Sequence, residues 1–289
     1  VRVGPCQVDG GWPNLALTKL ASWYVAKGDQ VERFEPMQYY DRVWASKVFV
    51  DSADNPYLPE DALLGGSGYR LTNRLPPEIE RCKPYWPLWP TWPADLGYST
   101  RGCPNACGFC IVPTKEGALE VVAEFGDLTT GRRKLILHDN NVTAAPIEHF
   151  RALCEDATAA GVELDFHQGF EARRFTDEHA AIVARSRFTR RLHFAFDHVR
   201  DEDAVRRAIA LCGLSGIHRS RLTFYVLVGY DSDADQDLYR IETLRALRVD
   251  PFVMPYDRSD YYQRRLARWV NNKVVFHAMT WPEFQRFRG

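Results

Sequence analysis

Cys103, Cys107 and Cys110 are the residues whose type and spacing point most directly to chemistry. They lie in the stretch Tyr98-Ser-Thr-Arg-Gly-Cys-Pro-Asn-Ala-Cys-Gly-Phe-Cys-Ile111, separated by three residues and then by two. That spacing on a short glycine-containing loop can aim three thiolates at one small inorganic centre, and soft sulfur ligands suit iron–sulfur clusters or zinc. A four-iron cluster normally takes four protein ligands. Here only three come close together, which leaves one iron for a ligand other than protein. Zinc would want a fourth Cys or His within a few residues. No other Cys or His lies between Pro84 and Leu137. The cluster is therefore the expected centre, and a non-catalytic iron–sulfur or zinc protein is the alternative, with Cys82 the least distant source of a fourth thiolate.

The rest of the chain must hold that loop. Its 289 residues, 45% hydrophobic and 26% charged, suffice for one large α/β domain or a small domain plus a larger one. A net charge of −1 gives no global attraction to nucleic acid or to a membrane surface. No apolar run approaches the roughly 18–20 residues of a membrane span. Residues 1–25 lack a basic segment followed by an apolar one, so no secretory leader is read there. The cysteine count is odd, at seven. Cys154 and Cys212 fall on apolar helical faces, where a thiol is a small core group. This usage fits a reducing, cytoplasmic setting.

Residues 1–75 read as a small Rossmann-like α/β unit. Strands are expected at 1–8, 31–34 and 43–50, and a helix from Asn14 to Lys27, with Asn14 as its cap and Gly28 as its stop. Residues 76–95, rich in Pro and carrying Trp86, Trp89 and Trp92, read as a linker without helix or central strand. Its tryptophans are expected to staple the two domains together rather than to line a substrate path. From Leu96 onward strands and helices alternate. Strands are expected at 96–100, 134–138, 162–166, 191–196, 221–228 and 251–254. Helices are expected at 118–125, 147–160, 176–186, 201–214 and 233–247. Alternation at this spacing argues for a parallel sheet with right-handed crossovers. Six βα units cannot close an eight-stranded circle, so the fold class is α/β with a partial (β/α)6 barrel over 96–257. The tail, 258–289, carries many Arg and aromatic residues, among them Arg264, Arg265, Arg268, Trp269, Trp281, Arg286 and Arg288. It is read as a helical extension that closes the barrel, in preference to an RNA-binding segment.

Cys-x3-Cys-x2-Cys, with Phe109 before the last cysteine and a strand-like Leu96–Thr100 before the first, resembles the radical S-adenosylmethionine (radical SAM) enzymes. The resemblance covers roughly residues 96–257 and implies that Cys103, Cys107 and Cys110 hold a [4Fe–4S] cluster whose open iron chelates SAM. Reductive cleavage of the sulfonium would then give a 5′-deoxyadenosyl radical that abstracts a substrate hydrogen. It further implies an external electron donor of flavodoxin or ferredoxin type. The substrate is expected to be a small molecule or peptide in preference to nucleic acid. The strand–helix–strand start with a late Gly65-Gly66 resembles the cobalamin-binding domain of one branch of that family. Residues 1–95 contain no histidine, however, and lack the Asp-x-His-x-x-Gly loop that grips the cofactor. Cobalamin is thus not expected, and a cobalamin-dependent methyltransferase stands as an alternative only.

In parallel α/β folds, ligands gather at the carboxyl ends of the strands. There the resemblance implies that His138, Asp139, Asn140 and Asn141 receive the SAM ammonium group. Glu171 and Arg173 would meet its carboxylate or ribose, although a surface ion pair competes as their role. Asp197 would hold ribose hydroxyls or cap a helix. Gly229, Met254 and Phe109 would surround the adenine. Tyr225, Tyr230, Tyr256, His138, His167 and His198 are candidates for substrate contact or proton or radical relay.

Overall fold

The computed structural model describes residues 1–286. The chain opens with a parallel sheet built from β1 (Arg2–Gln7), β2 (Gln30–Val31), β3 (Arg42–Ser46) and β4 (Leu63–Gly65), in spatial order β2-β1-β3-β4. The helix α1 (Leu15–Ala26) crosses between β1 and β2. The side-chain oxygen of Asn14 accepts from the Leu17 N–H at 3.2 Å, satisfying one of the free donors at its first turn. Leu17, Leu20 and Tyr24 face β1 and Ile79 in one apolar cluster. The expected strands are shorter in the structure: of 31–34 only Val31 lies in β2, although the Phe34 N–H still donates to the Pro5 carbonyl oxygen at 3.0 Å, and 43–50 is strand only as far as Ser46. Beyond Ser46 the chain turns, because the Asp9 carboxylate accepts the N–H groups of Val48 and Phe49 that a neighbouring strand would otherwise use.

Two corrections concern local structure. The linker is not free of helix: α2 (Pro77–Glu80) and a single 3-10 turn at Trp86–Leu88 lie within it. Proline is tolerated there because Pro77 opens α2 and Pro87 is the second residue of the 3-10 turn, positions where an N–H would be orphaned anyway. The helix expected near 118–125 is absent. Its place is taken by β7 (Glu120–Val121), which pairs antiparallel with β6 (Thr100–Arg101), and then by α4 (Phe125–Leu128). Consecutive Val121 and Val122 favour extended backbone, and Gly117 breaks the chain ahead of them. A short α3 (Val112–Lys115) follows the cysteines instead.

The strand expected before the cysteines is split between β5 (Asp95–Gly97) and β6. Then strand and helix alternate as the periodicity predicts: β8 (Lys134–Leu137), α5 (Ile147–Ala159), β9 (Glu163–Phe166), α6 (Asp177–Arg185), β10 (Leu192–Ala195), α7 (Glu202–Leu214), β11 (Leu222–Val228), α8 (Ala234–Ala246) and β12 (Asp250–Pro255). These strands form two parallel sheets, β5-β8-β9 and β10-β11-β12. Between β9 and β10 the pairing is reduced to isolated bridges, Leu164 to Phe188 and Phe170 to Phe194. The fold is thus mixed α/β with parallel sheets.

One face of both sheets is buried. Leu135, Leu137, Leu164, Phe166, Phe194, Phe224 and Val226 merge with the inner faces of the helices into one core, each contributing roughly 1.5–3 kcal/mol by its burial. The opposite face is only half-covered: His138, Asp165, His167, His193, Tyr225 and Leu227 are partly accessible, and Phe252 and Met254 are exposed.

After β12 come α9 (Tyr261–Asn271), α10 (Lys273–Ala278) and α11 (Trp281–Arg286). Leu266, Trp269, Val270, Phe276 and Trp281 are buried in the main core, while Arg264 and Arg268 on α9 stay in solvent. This is an amphipathic helix packed on β12. Arg288 lies outside the described residues.

The linker tryptophans join the two parts. Trp86 is buried with Ala94, Leu96 and Ile136, its indole N–H donating to Asp95 at 2.8 Å. Trp89 packs on the N-terminal cluster, and Trp92 lies 5.5 Å, ring to ring, from Trp12.

Candidate active site

The cysteine loop begins where β6 ends, and Gly102 makes the turn. Its φ is +77°, and an added Cβ would lie 2.0 Å from the Ala118 carbonyl oxygen, so only glycine fits. Its N–H donates to Asn140 Oδ1 at 3.1 Å, tying the loop to the residues after β8. The sulfurs accept hydrogen bonds: Cys103 Sγ from the Asn105 N–H (3.5 Å) and from Asn141 Nδ2 (3.5 Å), Cys110 Sγ from the Val112 N–H (3.4 Å). Such donors favour thiolate over thiol.

All three cysteines are half-buried and unbridged. Burial pushes the Cys107 thiol up, and Cys110 and Cys103 push it further, while Arg173 pulls the other way. Cys103 and Cys110 thus lie near enough to Cys107 to raise its pKa. Among the described residues no group of three or more His, Cys, Asp or Glu side chains is gathered closely enough to hold a single metal ion, these cysteines included. Two of the three thiols, Cys103 and Cys110, receive N–H donors within the loop. Cys82 is occupied elsewhere, its Sγ 3.4 Å from the Glu78 carbonyl oxygen.

Around the loop the structure gathers side chains from the ends of four strands. After β8, Asn141 is buried, and its Nδ2 donates to Glu171 Oε2 at 2.6 Å as well as to Cys103. After β9, Glu171 also accepts from Asn105 Nδ2 at 3.0 Å and pairs with Arg173 at 2.7 Å and Arg174 at 3.2 Å. Burial alone would raise its pKa; the Asn141 and Asn105 amides and the two arginines outweigh that and hold it below the ordinary carboxylate range. Thr143 fixes the arrangement, donating to Asn141 Oδ1 and accepting the Glu171 N–H, both at 2.9 Å. Arg173 keeps a partly exposed guanidinium beside the cysteines.

After β10 comes Asp197, half-buried, its carboxylate accepting the Leu227 N–H at 3.0 Å and raised in pKa by burial. Its charge is felt at Cys107, which puts it on the same side as the loop. After β11, Gly229 has a φ of +78° and leaves the space filled by the Gln263 amide. Next to it Tyr230 packs edge-on against Phe109 at 5.3 Å and Tyr256 at 4.9 Å. Met254 is exposed at the end of β12.

Two predicted residues stand apart from this group. Asp139 is fully buried, and its oxygens accept from the Ser99 N–H and hydroxyl and the Thr100 N–H and hydroxyl. It positions the strand leading to the cysteines. His138 turns to the open sheet face, in ring contact with Tyr98 (5.7 Å), Trp12 (5.9 Å) and His167 (6.2 Å). Burial drops its pKa to about 4.

Sequence reading missed Arg240. Fully buried on α8, it donates to the carbonyl oxygens of Phe196 (3.0 Å), Asp197 (2.8 Å) and Leu227 (2.9 Å) and pairs with Asp237 at 2.5 Å. It clamps the ends of β10 and β11 that carry Asp197 and Gly229. A signal existed: Asp237, Arg240, Ile241 and Leu244 share one helical face, and charges on an apolar face need partners. Trp12, on the loop after β1, was also missed; no periodicity marks a loop side chain.

In the N-terminal unit, Gly66 and Gly68 pack against the backbone of Lys47 and Phe49, so neighbouring chain fills the space beside them. The Gln7 amide donates to the carbonyl oxygens of Asp9, Gly10 and Trp12, which fixes the loop after β1. A cavity of about 260 Å³ opens there, walled by Gln7, Trp12, Arg33, Trp89 and Trp92.

No protein-family model matches the chain, and no curated protein or solved structure matches it at a significant level.

Proposed function

We propose that this chain is a radical SAM enzyme acting within a partial (β/α)6 barrel, with Cys103, Cys107 and Cys110 as the ligands of a [4Fe–4S] cluster and SAM as the ligand of the remaining iron. One observation carries the reading: residues from the ends of β8, β9, β10 and β11 converge on a loop that carries three cysteines. Bound there, the cluster and SAM supply reductive sulfonium cleavage and hydrogen abstraction, the hard chemistry that cofactors bring to a protein.

The chain's own residues bind and orient. Asn141 joins Cys103 to Glu171, so the cluster loop and the loop after β9 hold one relative position. Arg173 offers a guanidinium whose fork suits the SAM carboxylate. Glu171 and the Asn140–Asn141 pair present acceptors for an ammonium group. Asp197, kept in place by Leu227 N–H, is available for ribose hydroxyls. Phe109 and Tyr230 form an aromatic wall on the side of Gly229 and Met254, where a purine would stack. An external reductant of flavodoxin or ferredoxin type and a reducing compartment complete the proposal.

The test is spectroscopic and then chemical. Anaerobically reconstituted chain should carry about four iron and four sulfide per chain, and its reduced EPR spectrum should change when SAM is added. Dithionite and SAM should release 5′-deoxyadenosine, and Cys107→Ala should release none. A spectrum indifferent to SAM removes the proposal.

A further inference from the structure

On the open face of the sheets three histidines gather. His138 follows β8, His167 follows β9, and His193 lies on β10, beside the chain that continues from β9, where the Phe170 N–H donates to its carbonyl oxygen at 2.8 Å. Their ring nitrogens have no hydrogen-bond partner among the described residues, and His193 Nδ1 is buried without one. Buried or half-buried polar atoms are rarely left so. Aromatic rings flank them. His193 stacks on Tyr225 at 5.1 Å, the ring planes nearly parallel at 6°, and Tyr98 sits 5.7 Å from His138. Trp12, from the N-terminal unit, lies 4.7 Å from His167 and 5.9 Å from His138, with 38% of its surface still exposed.

The charge balance of this face narrows what it can hold. The charges nearest it are paired: Lys134 with Asp165 at 2.9 Å, Arg101, stacked over Tyr98, with Glu80 at 2.9 Å and Glu116 at 3.0 Å, and Arg191 with Asp250 at 2.5 Å. Neutral imidazoles offer one donor and one acceptor each. A charged ligand would enter a half-buried site with no opposite charge free to meet it, which is costly. A flat ring with its own donors and acceptors would satisfy the imidazole nitrogens at its edge and the aromatic groups at its faces. The histidines are also not gathered closely enough for a single metal ion.

We propose that this face binds an uncharged planar heterocycle of the nucleobase kind, with His138, His167 and His193 reading its edge and Trp12 covering its face. The inference rests on the preceding section only for naming that occupant the substrate. The ring could belong to a free nucleoside or to an unstacked base in a nucleic acid, and the experiment separates these.

Full-length reconstituted chain is titrated calorimetrically with adenosine, guanosine, uridine and a short single-stranded RNA, and with benzoate and benzylamine as singly charged rings. One uncharged nucleoside should bind more tightly than either charged ring. Tighter binding of the RNA than of its best nucleoside would assign the base to a nucleic acid, and equal binding to a small molecule. Trp12→Ala should weaken the best ligand by about tenfold or more, the size of one lost stacking partner, while Trp12→Phe should hold it within about threefold of the parent chain, on the same stacking basis. Saturating SAM should leave the affinity unchanged. Preference for a charged ring, displacement by SAM, indifference to Trp12→Ala, or binding of none of the panel each overturns the inference. Base binding without SAM cleavage would sink the reading of the cysteines and leave this site standing; the reverse result would sink this site alone.

Discussion

Lowering the pH should weaken this protein, and the buried His138 should supply a measurable part of the loss. His138 titrates near 6.5 in an unfolded chain, and burial, with His167 alongside, drops it to about 4 in the fold. A depressed folded pKa means stability that is complete above the unfolded value and is lost as pH falls toward the folded one. Between those values the unfolded state holds a proton that the native state does not, and each pH unit costs about 1.4 kcal/mol. From pH 7 to pH 5 the His138 contribution falls by about 2 kcal/mol. Urea unfolding at both pH values would measure it, with His138→Phe as the comparison, because a phenyl ring keeps the aromatic contacts to Trp12 and Tyr98 and removes the titration. The variant should lose about 2 kcal/mol less than the parent between the two pH values. His167 and His193 are depressed by burial as well, so a residual slope in the same direction is expected in the variant. Equal pH dependence in parent and variant would refute the reasoning, since it would mean that His138 is protonated as easily in the fold as outside it.

Further expectations follow from single contacts. Arg240→Met strands the Asp237 carboxylate and three carbonyl oxygens in the interior and should cost about 3–5 kcal/mol; the double change with Asp237→Leu should recover part of it in the same urea assay. Gly102→Ala forces a side chain against the Ala118 carbonyl and should cut iron incorporation on reconstitution well below the parent level. Asn141→Leu removes the donor to Cys103 and Glu171 and should lower SAM-dependent 5′-deoxyadenosine formation by about tenfold or more while leaving bound iron nearly intact, the loss of one charge-assisted hydrogen bond being worth about 1.5–3 kcal/mol. Asn14→Ala should destabilise the N-terminal unit by about 1 kcal/mol, read as a shift in the unfolding midpoint.

Much of the architecture was legible because periodicity reports burial. The helices at 147–160, 176–186, 201–214 and 233–247 and the strands at 134–138 and 221–228 lie within a residue or two of their expected limits, since each buries one regular face. The helix near 118–125 was misread because a run of helix-tolerant residues hid two adjacent valines and a strand partner at Thr100 and Arg101, a pairing set by tertiary structure. Within the site, the cysteines announce themselves through local spacing. Asp139 could not be told from its neighbours Asn140 and Asn141: all are polar, and only the fold shows that Ser99 and Thr100 claim its oxygens. Trp12 carries no local signal at all, because its importance comes from a neighbour more than a hundred residues away.

The seam between the two sheets has a mechanical meaning. Asn141 and Glu171 ride on β5-β8-β9 and hold the cysteine loop, whereas Asp197, Tyr230 and Met254 ride on β10-β11-β12; among the described residues the strand pairing between the halves is two isolated bridges, supported by phenylalanine packing, by α6 against α7 and by the Tyr225 hydroxyl donating to the His167 carbonyl oxygen at 3.2 Å. A shift of the halves would widen or narrow the gap between the thiols and the aromatic wall without unpairing a single strand within either sheet. Backbone pairing is thus thinnest between the strands that carry the two sides of the proposed site.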